Sequence, residues 1–517
     1  MTPLPSRLAP CLATALTLAL AAAPAHAQDI PARRTATVDD AYLSIAGLRQ
    51  AYARGELTPL DMTLSFLDRI NAIDRAGPTL RSVIETNPDA AVAAHAATQA
   101  YRNGTATSLT GIPILLKDNI ETGDRMRTTA GSLLFPLPAR QDATVTAKLR
   151  EAGAIILGKA NLSEWANFRS MMSMHGWSAR GGTTLNPFAL YATPFGSSSG
   201  SGAAVAAGLA TAALGTETQG SIIGPAMAMG LVGMKPTIGL VSRTGIVPVS
   251  HMQDSAGPMT RSVADAAAVL KTIAGSDPTD PLTVEADRHL SDYTLALAAD
   301  AVRGMRIGVV RRHAFNDNRW GSAMDRAVEI LESKGAIVVD NVELPGTEVA
   351  VADQLSLVLT EFKHDIASYL ARRTEQPLRT LEQVIAFNEA EADRELIHFG
   401  QELFEEALLA PGIDDPEYVE RRLRARRVAG PEGIDATLAT HKLDALIGPF
   451  SLNAVAALAG YPILTVPTHF EGDLPKGVML YGTKWSEAKL LTIGHAIEQG
   501  ANAFRRPTFV ATPPPES

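Results

Sequence analysis

The segment 192–258 restricts the fold more than any other, because glycine, serine, alanine and threonine are unusually dense in it. A flexible linker of such residues would contain few apolar side chains, whereas leucine, isoleucine and valine recur throughout this one. The segment can therefore be buried, and its small residues permit close backbone approach and unusual dihedral angles. Within it, residues 203–214 are predicted to form a buried helix packed tightly against a neighbour.

Short apolar runs alternate with helical patterns on both sides of this segment. Runs at 112–116 and 154–157 predict buried strands, with a helix at 144–151 between them, and residues 354–427 are mostly helical and charged. This alternation is typical of an α/β fold with a mixed or parallel sheet and helices on its faces. Further strands are predicted at 305–310, 336–342, 444–447, 462–466 and 477–481, and further helices at 44–57, 58–74, 89–103, 322–333 and 486–499.

Composition excludes several classes of protein. The chain has 517 residues, of which 46% are hydrophobic and 20% charged, as in a globular protein with a large core. Its formal net charge of −9 is spread along the chain, and no basic patch or stripe suggests a nucleic-acid partner.

The N-terminus has the pattern of a secretory signal peptide. Arg7 is followed by an apolar stretch at 8–24 and by the small-x-small motif Ala-His-Ala at 25–27. Cleavage after Ala27 would export the protein to the periplasm or the medium, with no membrane attachment; an uncleaved anchor is the alternative. Because the single cysteine, Cys11, lies in this stretch, the mature chain would have no cysteine nucleophile or disulfide.

Neither a complete phosphate-binding motif nor a zinc-binding motif is present in the sequence. Residues 153–159 fit the phosphate-binding pattern G-x-x-x-x-G-K, but Ala160 follows where a Mg²⁺-binding hydroxyl is needed, and the intervening residues favour a strand. No H-E-x-x-H occurs and the eleven histidines are scattered. We therefore expect neither a metal site nor a cofactor.

Residues 196–200 read Gly-Ser-Ser-Ser-Gly and match the nucleophile elbow of α/β-hydrolases, which would make Ser198 the nucleophile. Such an elbow directly follows a strand. The preceding stretch, 186–194, contains two prolines and is more typical of a loop. The elbow is thus an alternative that the structure can test.

A longer set of motifs supports another interpretation. Residues 196–204 read Gly-Ser-Ser-Ser-Gly-Ser-Gly-Ala-Ala, residues 214–221 read Leu-Gly-Thr-Glu-Thr-Gln-Gly-Ser, and Gly-Ile-Pro-Ile-Leu-Leu-Lys-Asp-Asn occupies 111–119. At these residues the chain resembles the amidase signature family, from about Val38 to the C-terminus. The resemblance implies a large mixed, twisted β-sheet covered on both faces by α-helices.

The resemblance also implies one domain after the signal peptide, over residues 28–517. Its parts would be a helical N-terminal layer at about 38–104, a catalytic core at about 105–275 and a helical outer layer at about 350–430.

Within the family, the chain is most similar to the bacterial peptide amidases, particularly at 161–168, 176–182 and 429–433. Those enzymes remove the C-terminal amide of peptides as ammonia, so the resemblance implies a small amide or peptide amide as substrate, and we expect a monomer. A broader aryl or aliphatic acylamidase is the alternative within the family. An exported amide- or peptide-binding protein with a degenerate hydrolase site is the alternative outside enzymes.

The family's catalytic roles fall on three residues. Ser221 matches the nucleophile, Ser197 the bridging serine that follows a cis peptide bond, and Lys117 the catalytic lysine. The resemblance also implies an oxyanion hole formed by the backbone N–H groups of Thr218, Gln219, Gly220 and Ser221.

These residue types suit amide hydrolysis for physical reasons. A serine hydroxyl becomes a good nucleophile when a base removes its proton, and a lysine is a base only when neutral. Since the ordinary lysine pKa is about 10.4, a mostly neutral lysine near pH 7 requires burial to lower its pKa by roughly 3–4 units. The alternative is that the fold holds Lys117 charged and that it loses its proton only at alkaline pH. A bridging hydroxyl can accept one proton while it donates another.

Other positions are predicted to support or line the site. Asn167 and Trp177 are candidates for the substrate pocket, with core packing or a helix-surface position as the alternative. Ser198 and Asp254 are candidates for holding the catalytic loops. Gln219 stands where many relatives have glycine or aspartate, and its side chain is expected to narrow the leaving-group side. The loop at 449–459 is shorter than in many relatives, which should open or reshape the acyl side.

Overall fold

The computed structural model describes residues 35–298, 301–311 and 320–512. The predicted signal peptide, 1–27, lies outside these ranges. Within them, none of the helices combines the length and the apolar character that crossing a membrane requires.

The strands of the described residues are β1 Val83–Thr86, β2 Pro113–Lys117, β3 Ile155–Ala160, β4 Trp177–Ser178, β5 Gly182–Thr183, β6 Ala212–Glu217, β7 Val232–Lys235, β8 Ser255–Thr260, β9 Arg306–Val309, β10 Ile337–Val339, β11 Ala445–Gly448, β12 Ile463–Glu471 and β13 Leu474–Tyr481. Eleven of these strands form one mixed sheet in the order β1-β3-β2-β6-β8-β7-β12-β13-β11-β9-β10, and β4 and β5 form a separate hairpin-like pair. Strand β2 runs parallel to both β3 and β6, whereas β6, β8, β7, β12 and β13 pair successively in antiparallel orientation.

Helices flank this sheet, which confirms the predicted α/β class with a large mixed sheet. The helices are α1 Ile45–Ala53, α2 Pro59–Arg69, α3 Ala90–Arg102, α4 Thr144–Glu151, α5 Ser199–Ala206, α6 Ile223–Ala228, α7 Val263–Ile273, α8 Gly321–Ser333, α9 Thr347–Val351, α10 Gln354–Arg372, α11 Leu381–Ala390, α12 Ala392–Glu395, α13 Glu402–Leu409, α14 Pro416–Ala429, α15 Ala436–His441, α16 Asn453–Ala459 and α17 Glu487–Ala501.

Local sequence explains where several elements begin. Thr58 caps α2 by accepting from the backbone N–H of Asp61, the Asp61 side chain accepts in return, and Pro59 occupies the first helical position. All five residues of β2 are buried, as its continuous apolar run predicts for a strand covered on both faces. The N-terminal layer is not entirely helical, however, because β1 pairs antiparallel with β3 at one edge of the sheet.

The single helix predicted at 203–214 is wrong in its second half. Helix α5 ends at Ala206, and the chain turns at Gly208, whose φ of 65° is left-handed, before it enters strand β6. A side chain at Gly208 would also collide with the Tyr42 ring, 2.8 Å from its Cβ position. An Ala-rich buried run has no polar face, so its period cannot separate helix from strand.

Small residues in the glycine-rich segment allow close packing between strands and turns. Gly215 of β6 lies opposite Gly257 of β8, and a Cβ on Gly215 would lie 2.8 Å from the Ser198 hydroxyl. A Cβ on Gly257 would lie 1.9 Å from the carbonyl oxygen of Met234 in β7. The glycines therefore bring the serine-rich turn and three central strands together, as the composition predicts.

Helices α10 to α13 form an outer layer around a second apolar cluster, which includes Trp165 and Phe362. Arg169 connects this layer to the segment that follows β3. Its guanidinium is fully buried and pairs with Glu164 of that segment. On the side of the outer layer it lies 3.5 Å from Glu395 of α12 and donates to the Gly400 carbonyl at 3.1 Å. The layer thus holds the start of α10 beside the residues that follow Glu164.

Candidate active site

Sheet pairing brings the predicted catalytic residues to one place. Lys117 is the last residue of β2, and the turn 218–221 follows directly after β6, the parallel neighbour of β2. Because the carboxyl ends of parallel neighbours meet at the same edge, the lysine and the turn become adjacent. Ser197 lies in the turn that leads into α5 and follows a cis peptide bond from Gly196, in agreement with the family resemblance.

Lys117 is fully buried, and its ammonium nitrogen has three close oxygen partners. Nζ lies 2.7 Å from Ser197 Oγ, 2.9 Å from Thr216 Oγ1 and 3.1 Å from the Thr216 carbonyl oxygen. Burial lowers the pKa of Lys117 to about 7, although the charges of Asp254 and Glu217 favour the protonated form. Near neutral pH this amine therefore exists in both protonation states.

Ser198 supports the site through the main chain. Its N–H donates to the Ser221 carbonyl at 3.1 Å, and its hydroxyl donates to the Thr216 carbonyl at 3.1 Å and accepts from the Thr216 N–H at 3.3 Å. The hydroxyl is fully buried, and a loop precedes it where an elbow needs a strand. The structure therefore contradicts the nucleophile-elbow alternative, and it places Ser198 as a link between the two serine-bearing turns.

Ser221 borders an open cleft. It is 8% exposed and lines that cleft, whereas Ser197 and Lys117 are fully buried. Gly220 just before it has a φ of 74°, a left-handed conformation that favours glycine. Over the part of the chain that the structure describes, none of the backbone N–H groups of residues 218–221 donates to a protein acceptor.

Asp254 holds the turn 218–221 through the hydrogen bonds of its carboxylate. Its carboxylate accepts from the Thr218 hydroxyl at 2.5 Å and from the backbone N–H groups of Val249 and Ser250 at 2.7 and 2.9 Å. Burial nevertheless raises the pKa of Asp254 to about 6. Asp254 therefore anchors the turn, as the sequence suggested.

The cleft in front of Ser221 has a volume of about 420 Å³ and mostly apolar walls. Its walls come from the residues around Asn167, from the catalytic turns, from the start of α10 and from the loop at 449–459. The apolar residues among them are Ala166, Phe168, Met171, Phe195, Val249, Leu355, Val358, Leu403 and Phe450.

Of the two predicted substrate contacts, one lines the cleft. Asn167 does so, and its side-chain oxygen is buried without a hydrogen-bond partner in the described residues. Trp177 does not: its ring is 3% exposed and packs edge-on against Phe399, at a centroid distance of 5.2 Å, beneath the Arg169 guanidinium. The prediction for Trp177 is therefore wrong, because packing of the outer layer holds this ring.

Sequence reasoning missed several residues of the site. Thr216 binds the lysine, and nothing in the sequence distinguishes it from its neighbours. Gln354, Phe450 and Asn453 line the cleft from segments far away in the chain. The short loop at 449–459 was expected to open or reshape the acyl side, whereas Phe450 lies against Gly220, beside the catalytic turn. Gln219 is exposed at the cleft, as expected of a residue that borders it.

In the described ranges, no cluster of three or more histidine, cysteine, aspartate or glutamate side chains could hold a metal ion.

Comparison with known proteins gives the same family over most of the chain. The Amidase family model matches residues 61–454. A probable amidase of Arabidopsis thaliana is 40% identical over 483 residues, covering 90% of this chain and 92% of its own.

Solved structures agree with this match. The peptide amidase of Stenotrophomonas maltophilia is 47% identical, with a TM-score of 0.87 over 90% of this chain and 98% of its own. An amidase family protein of Bacillus anthracis is 35% identical, with a TM-score of 0.85 over 90% and 92%. The chain therefore belongs to the amidase signature family and is an amidase, a hydrolase that acts on carbon–nitrogen bonds.

Proposed function

We propose that this amidase removes the C-terminal amide of peptides as ammonia, with Ser221 as nucleophile, Ser197 as proton bridge and Lys117 as base. The observation that carries the proposal is the 2.7 Å contact between Lys117 Nζ and Ser197 Oγ, next to Ser198, whose N–H donates to the carbonyl of the cleft-lining Ser221. A lysine whose pKa is lowered to about 7 by burial can act as base at neutral pH.

In the first step, Ser221 Oγ attacks the carbonyl carbon of the amide. Its proton passes to Ser197 Oγ, which transfers its own proton to neutral Lys117 Nζ. The carbonyl oxygen gains negative charge and is stabilised by the unpartnered N–H groups of residues 218–221. Each such donor typically contributes about 3–4 kcal/mol to the stabilisation of the transition state.

In the second step, the proton returns through Ser197 to the amide nitrogen. The carbon–nitrogen bond breaks, ammonia leaves, and the acyl group remains as an ester of Ser221. A water molecule then attacks this ester and gives its proton through Ser197 to Lys117. The ester bond breaks, the proton returns through Ser197 to Ser221 Oγ, and the free carboxylic acid leaves. Lys117 is neutral again at the end of the cycle.

Two observations support a peptide amide as substrate: the extensive similarity to a peptide amidase and an apolar cleft that can accommodate an amino-acid side chain. The aromatic ring of Phe168 in the cleft would also suit an aryl group, which favours the broader acylamidase as second candidate. A dipeptide amide and an acetanilide, compared by kcat/KM, distinguish the two. A preference for the anilide would support the acylamidase.

The test of the catalytic assignment is the Ser221→Ala variant, assayed by ammonia release from a dipeptide amide. We expect a loss of at least about 10⁴-fold in kcat, because the nucleophile is removed. Ser201→Ala is the matched control, since Ser201 is buried nearby and its hydroxyl bonds only the Leu214 carbonyl, at 3.0 Å. It should retain activity.

Full turnover by Ser221→Ala would refute the assignment. Tight binding of the dipeptide amide by the wild-type protein, without any product, would instead indicate an amide-binding protein. Mass spectrometry of the wild-type protein with substrate separates that outcome from catalysis, because the acyl-enzyme adds the mass of the acyl group.

We further propose that the protein is exported, on the strength of the sequence of residues 1–27 alone. The mature protein would then begin at Gln28 and act as a single domain in the periplasm or the medium. N-terminal sequencing of protein from the exported fraction tests this, and an intact N-terminus on a membrane-bound product would favour the anchor.

A further inference from the structure

The short loop at 449–459 provides two neighbouring cleft residues, Phe450 and Asn453, that the catalytic steps leave without a role. Asn453 is the first residue of α16 and is 4% exposed. Its Nδ2 donates to the Phe450 carbonyl oxygen at 2.6 Å. Because the amide nitrogen is committed to that carbonyl, the orientation of the Asn453 side-chain amide is defined.

The oxygen of that side chain points toward the catalytic turn. Asn453 Oδ1 lies 3.3 Å from the position that a Cβ on Gly220 would occupy. It is buried and has no hydrogen-bond partner within the described ranges. An unsatisfied buried acceptor is unfavourable, so a ligand with an N–H donor at this position would be favoured.

The substrate itself brings such a donor to this position. When its carbonyl oxygen accepts from the N–H groups of residues 218–221, its amide nitrogen is only two bonds away, about 1.23 and 1.33 Å in length. A nitrogen on the Gly220 side of the carbonyl carbon would lie within reach of Asn453 Oδ1. An ester has no hydrogen on the equivalent oxygen and could not make this contact.

Phe450 closes the space beyond that nitrogen. Its ring lies 2.8 Å from the Cβ position of Gly220 and 3.1 Å from that of Gly224. The ring is held by Phe195, at a centroid distance of 6.1 Å in an edge-to-face arrangement. Any carbon substituent on the amide nitrogen would meet this ring.

We infer that Asn453 and Phe450 form a pocket for the leaving amide that selects unsubstituted carboxamides: Asn453 Oδ1 accepts an N–H of the substrate, and the Phe450 ring excludes N-substituents. The inference builds on the proposed function and names the residues that restrict it to primary amides. Asn453 is a specificity residue and takes no part in the proton path.

The first experiment compares Asn453→Leu with the wild type on N-acetyl-phenylalanine amide and on the matching methyl ester. Leucine has a similar size but no acceptor, so kcat/KM for the amide should fall about 10- to 100-fold, which corresponds to about 1.4–2.7 kcal/mol at this contact. Turnover of the ester should stay within about threefold, which also shows that the variant folds and that Ser221 works.

Asn453→Asp provides a second variant that retains the acceptor and removes the contact to the Phe450 carbonyl. It should retain more amide activity than Asn453→Leu. Equal losses on amide and ester in Asn453→Leu would overturn the inference and assign Asn453 a structural role. Unchanged amide activity would overturn it as well.

The second experiment tests the ring with the N-methylamide of the same acyl group. In Phe450→Ala, turnover of the N-methylamide relative to the primary amide should rise at least about tenfold, because the ring no longer occupies the space. Phe470→Ala is the matched control, since Phe470 packs against Phe188 and does not line the cleft. An unchanged ratio in Phe450→Ala would refute the pocket.

Failure of the proposed function has a different signature. If Ser221 were not the nucleophile, Ser221→Ala would still hydrolyse both the amide and the ester. If only the inference were wrong, Ser221→Ala would be inactive on both, while Asn453→Leu would not distinguish them.

Discussion

Lys117 and Lys235 have similar environments in two regions of one sheet, yet only Lys117 has a partner that can pass on a proton. Each is the last residue of a strand, β2 or β7, and each is fully buried. Burial lowers the pKa of Lys117 to about 7 and that of Lys235 to about 8, and the charge of Glu217 opposes both shifts.

Their hydrogen-bond partners differ in kind. Lys235 Nζ donates to two backbone carbonyls, those of Pro236 at 3.0 Å and Tyr461 at 2.9 Å. Carbonyl oxygens only accept, so a proton on Lys235 has no onward path. Lys117 donates to the hydroxyl of Ser197, which can do both. A lowered pKa therefore does not distinguish the two lysines, whereas the hydroxyl partner of Lys117 does.

The largest effect that would sharpen this comparison is expected from Lys117→Met. Removing the base should lower kcat about 10³- to 10⁴-fold, since general-base catalysis contributes on that order. Lys235→Met should leave kcat/KM of the folded enzyme nearly unchanged. It should destabilise the fold by about 1–3 kcal/mol, because two buried carbonyls lose their donor.

The measurements are steady-state kinetics on a dipeptide amide and denaturant unfolding of both variants. A loss of kcat in Lys235→Met as large as that in Lys117→Met would break the comparison. It would show that burial of the lysine, and not its hydroxyl partner, decides its role.

The pH profile of kcat/KM should depend on Lys117 and not on Lys235. In the proposed mechanism Lys117 acts as the neutral amine, so protonation below its pKa of about 7 would inactivate it. We expect kcat/KM to be level above about pH 8 and to fall about tenfold per pH unit below about pH 6. Lys235→Met should leave this profile unchanged. An acidic limb that shifts in Lys235→Met would contradict the assignment.

The smallest effect is expected from Thr216→Val, which removes one hydroxyl acceptor from Lys117 Nζ. Because an acceptor favours the protonated amine, its loss should lower the pKa of Lys117 and shift the acidic limb to lower pH. We expect kcat to fall by about tenfold or less, since Ser197 remains in place. The control is Thr465→Val, because the hydroxyl of Thr465 donates to the Val478 carbonyl at 3.0 Å elsewhere in the sheet. An unshifted limb in Thr216→Val would mean that Thr216 does not influence the lysine.

The sequence predicted the fold class and the strand that carries Lys117, because a short apolar run between polar turns is typical of a buried strand. It failed at 203–214, where the helix ends after Ala206 and a strand begins at Ala212. Small apolar residues are buried in either conformation, so only the turn at Gly208 and the pairing of β6 with its neighbours decide between them.

The site was predictable where its residues share a short motif and not where distant segments meet. The turn 218–221, Ser197 and Lys117 could be proposed from their motifs. Asn453 and Gln354 reach the cleft only because the outer layer and the loop at 449–459 pack over the sheet. Trp177 illustrates the opposite case. Its place near the motifs suggests a pocket wall, whereas its ring belongs to the core.

The positions of the cleft residues along the chain have a consequence for engineering. Lys117, Ser197 and Ser221 lie within one stretch of the chain, on adjacent strands and turns, whereas Gln354 and Asn453 come from the later third of the chain. A library limited to the helix start near 354 and the loop at 449–459 would therefore vary the accepted amide and leave the proton path intact. Such a library would yield variants with altered amide specificity while the proposed catalytic residues stay unchanged.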